Sequence, residues 1–94
     1  MRLKSNEIAQ IKETILKEFG KSDIYIFGSQ LNIDKRGGDI DIYIIPKERI
    51  ELFQKESKVK FLLEQKLLKP IDILIYQDSN REIEKIAIKG VKIE

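Results

Sequence analysis

The run Asp39-Ile40-Asp41-Ile42-Tyr43-Ile44 alternates polar or aromatic residues with isoleucine at a period of two, and only an extended strand sorts such residues onto opposite faces. Ile40, Ile42 and Ile44 must face a core, which leaves Asp39 and Asp41 together on the other face, roughly 6.6 Å apart along the strand. Aspartate is disfavoured in strands and neighbouring like charges repel, so this pairing costs stability unless a positive charge lies between the two groups. The chain is thereby constrained to a sheet with one apolar and one acidic face. A divalent cation would supply the missing charge.

Asp72 repeats the arrangement, with Ile71 and Ile73 as its inward neighbours in the run Ile71-Asp72-Ile73-Leu74-Ile75-Tyr76. Pairing of this strand beside the Asp39–Asp41 strand in a suitable register would project all three carboxylates from one face. Three oxygen ligands suit Mg²⁺ or Mn²⁺ rather than zinc or copper. Two such ions about 3.5 to 4 Å apart are the usual apparatus for in-line phosphoryl or nucleotidyl displacement. The plainer alternative is a solvated strand face whose aspartates have no chemistry.

Composition narrows the chemistry further. The chain has no Cys and no His, which excludes disulfides, thiolate metal sites, cysteine nucleophiles, Ser-His-Asp triads and histidine acid–base pairs. Catalysis must use carboxylates, Lys, Tyr, Ser or a carboxylate-bound hard metal. With 94 residues, 41% of them hydrophobic and 36% charged, the sequence predicts one globular domain over residues 1–94 with a strongly ionic surface. The net charge of +2 comes from interspersed Lys and Glu, so direct nucleic-acid binding is not expected. No apolar targeting or membrane-spanning stretch is visible, and the expected location is cytoplasmic.

Ile8, Ile11, Ile15, Leu16 and Phe19 recur at helical spacing between a cap at Ser5 or Asn6 and a stop at Gly20. Strands are predicted over residues 23–27, 39–45 and 71–76, with Pro70 opening the third. Residues 47–68 read as one or two helices in which Ile50, Phe53, Val59, Leu62, Leu63 and Leu67 share a face. Phe53, Phe61 and Leu68 are expected in the core, the alternative being a partner surface. Asp78, Ser79 or Asn80 would cap a last helix carrying Ile83, Ile86 and Ala87, and the tail after Gly90 could add a strand. Tyr43 shares the parity of Asp39 and Asp41, so it either lines the acidic site or is buried beneath a helix. Tyr25 and Tyr76 are expected to be structural. The order predicts an α+β fold: a small mixed sheet of three to four strands flanked by helices.

Gly28-Ser29 follows the first strand at the expected start of a helical turn between Ser29 and Asn32. Gly admits a phosphate close to the backbone, and the Ser hydroxyl and exposed N–H groups can donate to it. The run Gly28-Ser29, nine residues, Asp39-Ile40-Asp41-Ile42, and Asp72 in a later apolar strand resembles the nucleotidyltransferase superfamily of DNA polymerase beta, most nearly its minimal nucleotidyltransferases. The resemblance covers essentially the whole chain.

The likeness implies a palm-like nucleotidyltransferase fold in which Gly28 and Ser29 hold the β and γ phosphates of ATP. Asp39 and Asp41 would bind two Mg²⁺ ions, with Mn²⁺ as an alternative. Asp72 would complete the site and help activate the attacking hydroxyl. Minimal members commonly pair with a helical HEPN protein, and the likeness implies an antitoxin that transfers AMP to a tyrosine of such a toxin. A non-catalytic antitoxin, transfer to RNA or a small molecule, and homo-oligomerisation remain alternatives. Two departures stand out: Asn32 and Ile33 replace a basic residue and a second Gly, and the loop to Asp39 is one residue shorter than the commonest spacing. They imply a weaker hold on the triphosphate unless Lys35 or Arg36 supplies the charge.

Overall fold

The computed structural model describes residues 3–28 and 39–94; Ser29, the expected turn over residues 29–32, and Lys35 and Arg36 lie outside the described residues. Among the described residues the order is α1 (Ser5–Phe19), β1 (Ser22–Phe27), β2 (Ile40–Pro46), α2 (Leu52–Leu67), β3 (Ile71–Ile75), α3 (Glu82–Ala87) and β4 (Val91–Lys92). The expected α+β architecture is present, and the tail contributes the fourth strand. No helix among the described residues is long and apolar enough to cross a membrane.

The sheet runs β3-β2-β1-β4. β1 pairs antiparallel with β2 and β4, whereas β2 and β3 are parallel and joined through α2. Alternation decides the two faces. Ile24, Ile26, Ile40, Ile42, Ile44 and Ile71 are wholly buried on the face that packs against α1 and α2. On the opposite face Phe27, Tyr43 and Ala87 form a smaller cluster, with Tyr25 and Leu74 packed against it. This second face carries the acidic residues, and α3 covers part of it.

The cap of α1 lies one residue before Ser5 and two before Asn6, the expected caps. Lys4 occupies the cap position, and its backbone N–H donates to Glu7 Oε1 at 3.0 Å, so Ser5 is the first helical residue. Gly20 ends the helix as expected, with φ of 75° and its N–H on the Leu16 carbonyl.

α2 is one helix, and its inward stripe corrects the expectation. Val59, Leu63 and Leu67, four residues apart, are buried, with Leu52 partly so. Ile50 precedes the helix, and Phe53 lies about 100° around it from Leu52, so they are 58% and 77% exposed. Phe61 and Leu68, also expected in the core, are 62% and 86% exposed: Phe61 lies opposite the inward stripe, and Leu68 has left the helix in the left-handed conformation.

The end of α2 is tied to β3 by the Glu64 carboxylate, which accepts from the Ile71 N–H at 3.0 Å. That bond helps set where β3 starts and hence where Asp72 falls.

Candidate active site

Strand register assembles the acidic row. In the parallel pair, Asp41 of β2 lies level with Asp72 of β3, and Tyr43 with Leu74; on the other side of β2, Phe27 lies level with Asp41 and Tyr25 with Tyr43. The face opposite the isoleucines therefore carries one row of Phe27, Asp41 and Asp72, and a second of Tyr25, Tyr43 and Leu74. Asp39 stands just before β2 with the same parity as Asp41. The register places Asp41 and Asp72 level on one side of the sheet, and the charge of Asp39 acts on Asp41 from just before β2.

Asp41 records this crowding electrostatically. Partial burial, followed by the charges of Asp72 and Asp39 and a hydrogen bond with Asp72, pushes its carboxyl above the usual aspartate range. Like charges at one site favour the protonated form, and a cation reverses that preference. The all-oxygen donor set fits a hard divalent ion. Asp39, Asp41 and Asp72 would be the residues to hold it. Among the described residues no three such groups are already drawn together as a metal cage. The fit is thus one of donor type and shared face.

Gly28 explains why the first strand must end in glycine beside this row. Its φ is 75°, and a Cβ there would run into the Asp41 carboxylate, with the Asp41 Cγ at 3.0 Å. The backbone of Gly28 is therefore packed directly on the acid. Ser29, its expected partner in holding phosphate, lies outside the described residues.

Beside the acids is a cavity of about 300 Å³ lined by Phe27, Asp41, Asp72, Ile73, Leu74 and Ile83. Apart from the two carboxylates, its walls are apolar, and no described Lys or Arg lines it. Such a site suits an acceptor with an apolar body and one reactive polar atom directed at the acids.

Tyr43 is buried beneath α3, which resolves the two expectations for it. Its hydroxyl donates to Glu84 Oε1 at 2.8 Å, and its ring meets Tyr25 with centroids 5.9 Å apart. Burial, the bond to Glu84 and that residue's negative charge push the Tyr43 hydroxyl well above its ordinary value. Tyr43 therefore remains a neutral donor.

The sequence reading passed over Ile83 as a cavity wall and Glu84 as a buried acid. Of the apolar residues expected on α3, Ala87 is buried but Ile83 and Ile86 are 42% and 59% exposed. The inward stripe runs through Glu84, Ala87 and Gly90, at intervals of three. A Cβ at Gly90 would strike the Ile26 carbonyl oxygen and the Phe27 side chain, so glycine lets the end of α3 close against β1. The signal was a small-residue stripe containing one acid, which apolar periodicity alone does not reveal.

A family model described as "Polymerase beta, Nucleotidyltransferase" matches residues 9–93. The chain belongs to this nucleotidyltransferase family, and nucleotidyl transfer is the general activity its domain supports. A comparison with curated proteins finds no match.

Proposed function

We propose that this chain is a metal-dependent adenylyltransferase that moves AMP from ATP to a tyrosine hydroxyl of a helical, HEPN-type toxin and so acts as its antitoxin. The observation that carries the reading is the juxtaposition of Asp41 and Asp72 with a cavity whose other walls are apolar. A phenol directs a single hydroxyl from an apolar ring, and the cavity has matching chemistry. The family match supports the nucleotidyl part of the reading; the acceptor and the partner are the proposal's own.

In this mechanism Gly28 and Ser29 receive the β and γ phosphates of ATP at the end of β1. Asp39, Asp41 and Asp72 would hold divalent ions, Mg²⁺ or Mn²⁺, which would supply stabilisation of charge on the phosphoryl oxygens. Asp72 orients the acceptor hydroxyl and takes its proton as the oxygen attacks the α-phosphorus. The new O–P bond forms as the bond from the α-phosphorus to the bridging oxygen breaks, and pyrophosphate leaves with that oxygen. Phe27, Leu74 and Ile83 hold the acceptor body against the acids and exclude water, so the protein contributes chiefly orientation and preorganised charge.

Incubation of the purified chain, Mg²⁺ and ATP labelled at the α-phosphate with lysate of its own host tests the reading. Label on a protein band, located to tyrosine by mass spectrometry and absent with an Asp39→Ala/Asp41→Ala variant, is expected. Label confined to RNA or a small molecule would overturn the acceptor assignment. Neutralisation of a toxin by that same variant would instead establish a binding antitoxin, for which exposed Phe53, Phe61 and Leu68 offer contact groups.

A further inference from the structure

Glu84 is the one charged side chain buried among the described residues, with 1% of its surface exposed. It is heavily bonded. One or other of its oxygens accepts from the Tyr43 hydroxyl at 2.8 Å, the Gln77 N–H at 3.2 Å, the Asp78 N–H at 2.9 Å and Arg81 Nη1 at 3.3 Å. These donors come from β2, from the chain leaving β3, and from the residue immediately before α3. A single carboxylate thus ties α3 to β2 and to the chain leaving β3.

The neighbouring residues give this junction a catalytic consequence. Ile83, just before Glu84 in α3, is a wall of the cavity that contains Asp41 and Asp72. Tyr43, which bonds Glu84, stands two residues after Asp41 on the same strand and face. α3 has six residues, too few to hold a helical position by backbone bonding alone, so its placement depends on its attachments. Displacing Glu84 therefore moves the Ile83 wall relative to the acids.

We infer that Glu84 is a positioning residue: through Tyr43 and the backbone after β3 it holds α3 where Ile83 closes the acceptor cavity. It does not touch the reacting atoms. The inference rests on the reading of this cavity as the acceptor site and deepens it, because it assigns acceptor fit to a buried carboxylate about 100° around α3 from the Ile83 wall. Glutamine at this position keeps the shape but replaces one acceptor oxygen with an NH₂ group facing donors. Phenylalanine at position 43 removes one bond and leaves the ring.

The test uses the methyl-labelled full chain and p-cresol, a phenol with a short apolar body, followed through the Ile83 and Leu74 methyl signals. Mn²⁺·ATP affinity is measured separately. In the unaltered chain p-cresol should shift both signals. Glu84→Gln should weaken its binding about threefold to tenfold, the equilibrium equivalent of one hydrogen bond, while Mn²⁺·ATP affinity stays within about twofold. Tyr43→Phe should weaken p-cresol binding in the same direction, and it serves as the folded test if Glu84→Gln does not fold. Glu7→Gln, which loses bonds on the far helical layer, should bind p-cresol normally. Unchanged p-cresol binding by Tyr43→Phe and any folded Glu84→Gln would overturn the positioning role. An equal weakening by Glu7→Gln would also overturn it, by tracing the effect to general stability. Failure of the unaltered chain to bind p-cresol at Ile83 would overturn the acceptor reading and the inference with it.

Discussion

Asp41 sits where stability and chemistry oppose each other. Partial burial and the charges of Asp72 and Asp39 hold its proton more tightly in the folded chain than in the unfolded one. The stability associated with that proton is present below the ordinary aspartate range and is lost as pH rises through the raised value. Asp41→Asn removes the titrating charge at nearly constant volume. The metal-free variant should melt at a higher temperature than the unaltered chain at pH 7 and show little difference in strong acid, as calorimetry across pH would reveal. The same variant should lose at least about 100-fold in nucleotidyl transfer, since a preorganised charge at the reacting centre is gone. Gly28→Ala acts on the same carboxylate from the other side. Its new Cβ meets Asp41, and its φ of 75° is one that side chains resist, so a loss of about 1–3 kcal/mol is expected in denaturant unfolding, together with weakened transfer.

Among the elements, α3 is the most conditional. Burial opposes the charge on Glu84, but the backbone bond from Asp78, the Tyr43 hydroxyl, the Gln77 N–H and Arg81 outweigh it and hold the carboxyl below the usual glutamate range. A lowered value means stability that is present above the ordinary range and disappears as pH falls through the native one. Acidification below about pH 4.3 should therefore release α3 first, and its amide protons should exchange before those of β1 to β3. The strands were legible because Ile at alternate positions allows only one burial pattern, but that pattern fixes only the face; the register that aligns Asp41 with Asp72 depends also on contacts such as the Glu64–Ile71 bond. α3 was legible as a helix and not in its orientation. Its inward residues are an acid, an alanine and a glycine, whose fit depends on Tyr43 and on backbone far away in sequence.

For the molecule as a whole, the core lies between the isoleucine face of the sheet and the α1–α2 layer, while the opposite face carries the candidate site. Ile42, wholly buried at the middle of β2, should cost about 2–5 kcal/mol when replaced by alanine. Phe61→Ser should stay within about 0.5 kcal/mol, because Phe61 is 62% exposed on the outward side of α2. Parallel urea titrations would measure both. That contrast also marks a limit of reading a charged helix by apolar residues alone. In α2 seven large apolar side chains compete for one inward stripe, and only contact with α1 and β3 decides which of them enter. Asp41 and Asp72 needed no such arbitration, since an aspartate between two isoleucines of a strand has only the opposite face left to it.

In the proposed function the row of Asp39, Asp41 and Asp72 beside Gly28 binds the metal–nucleotide complex. Titration of isotopically labelled protein with ATP and paramagnetic Mn²⁺ tests it most directly. Selective broadening of the amide signals of residues 28, 39–42 and 71–73, abolished in Asp41→Asn while the remaining spectrum is unchanged, is the predicted result. Broadening centred elsewhere, or retained in full by Asp41→Asn, would contradict it.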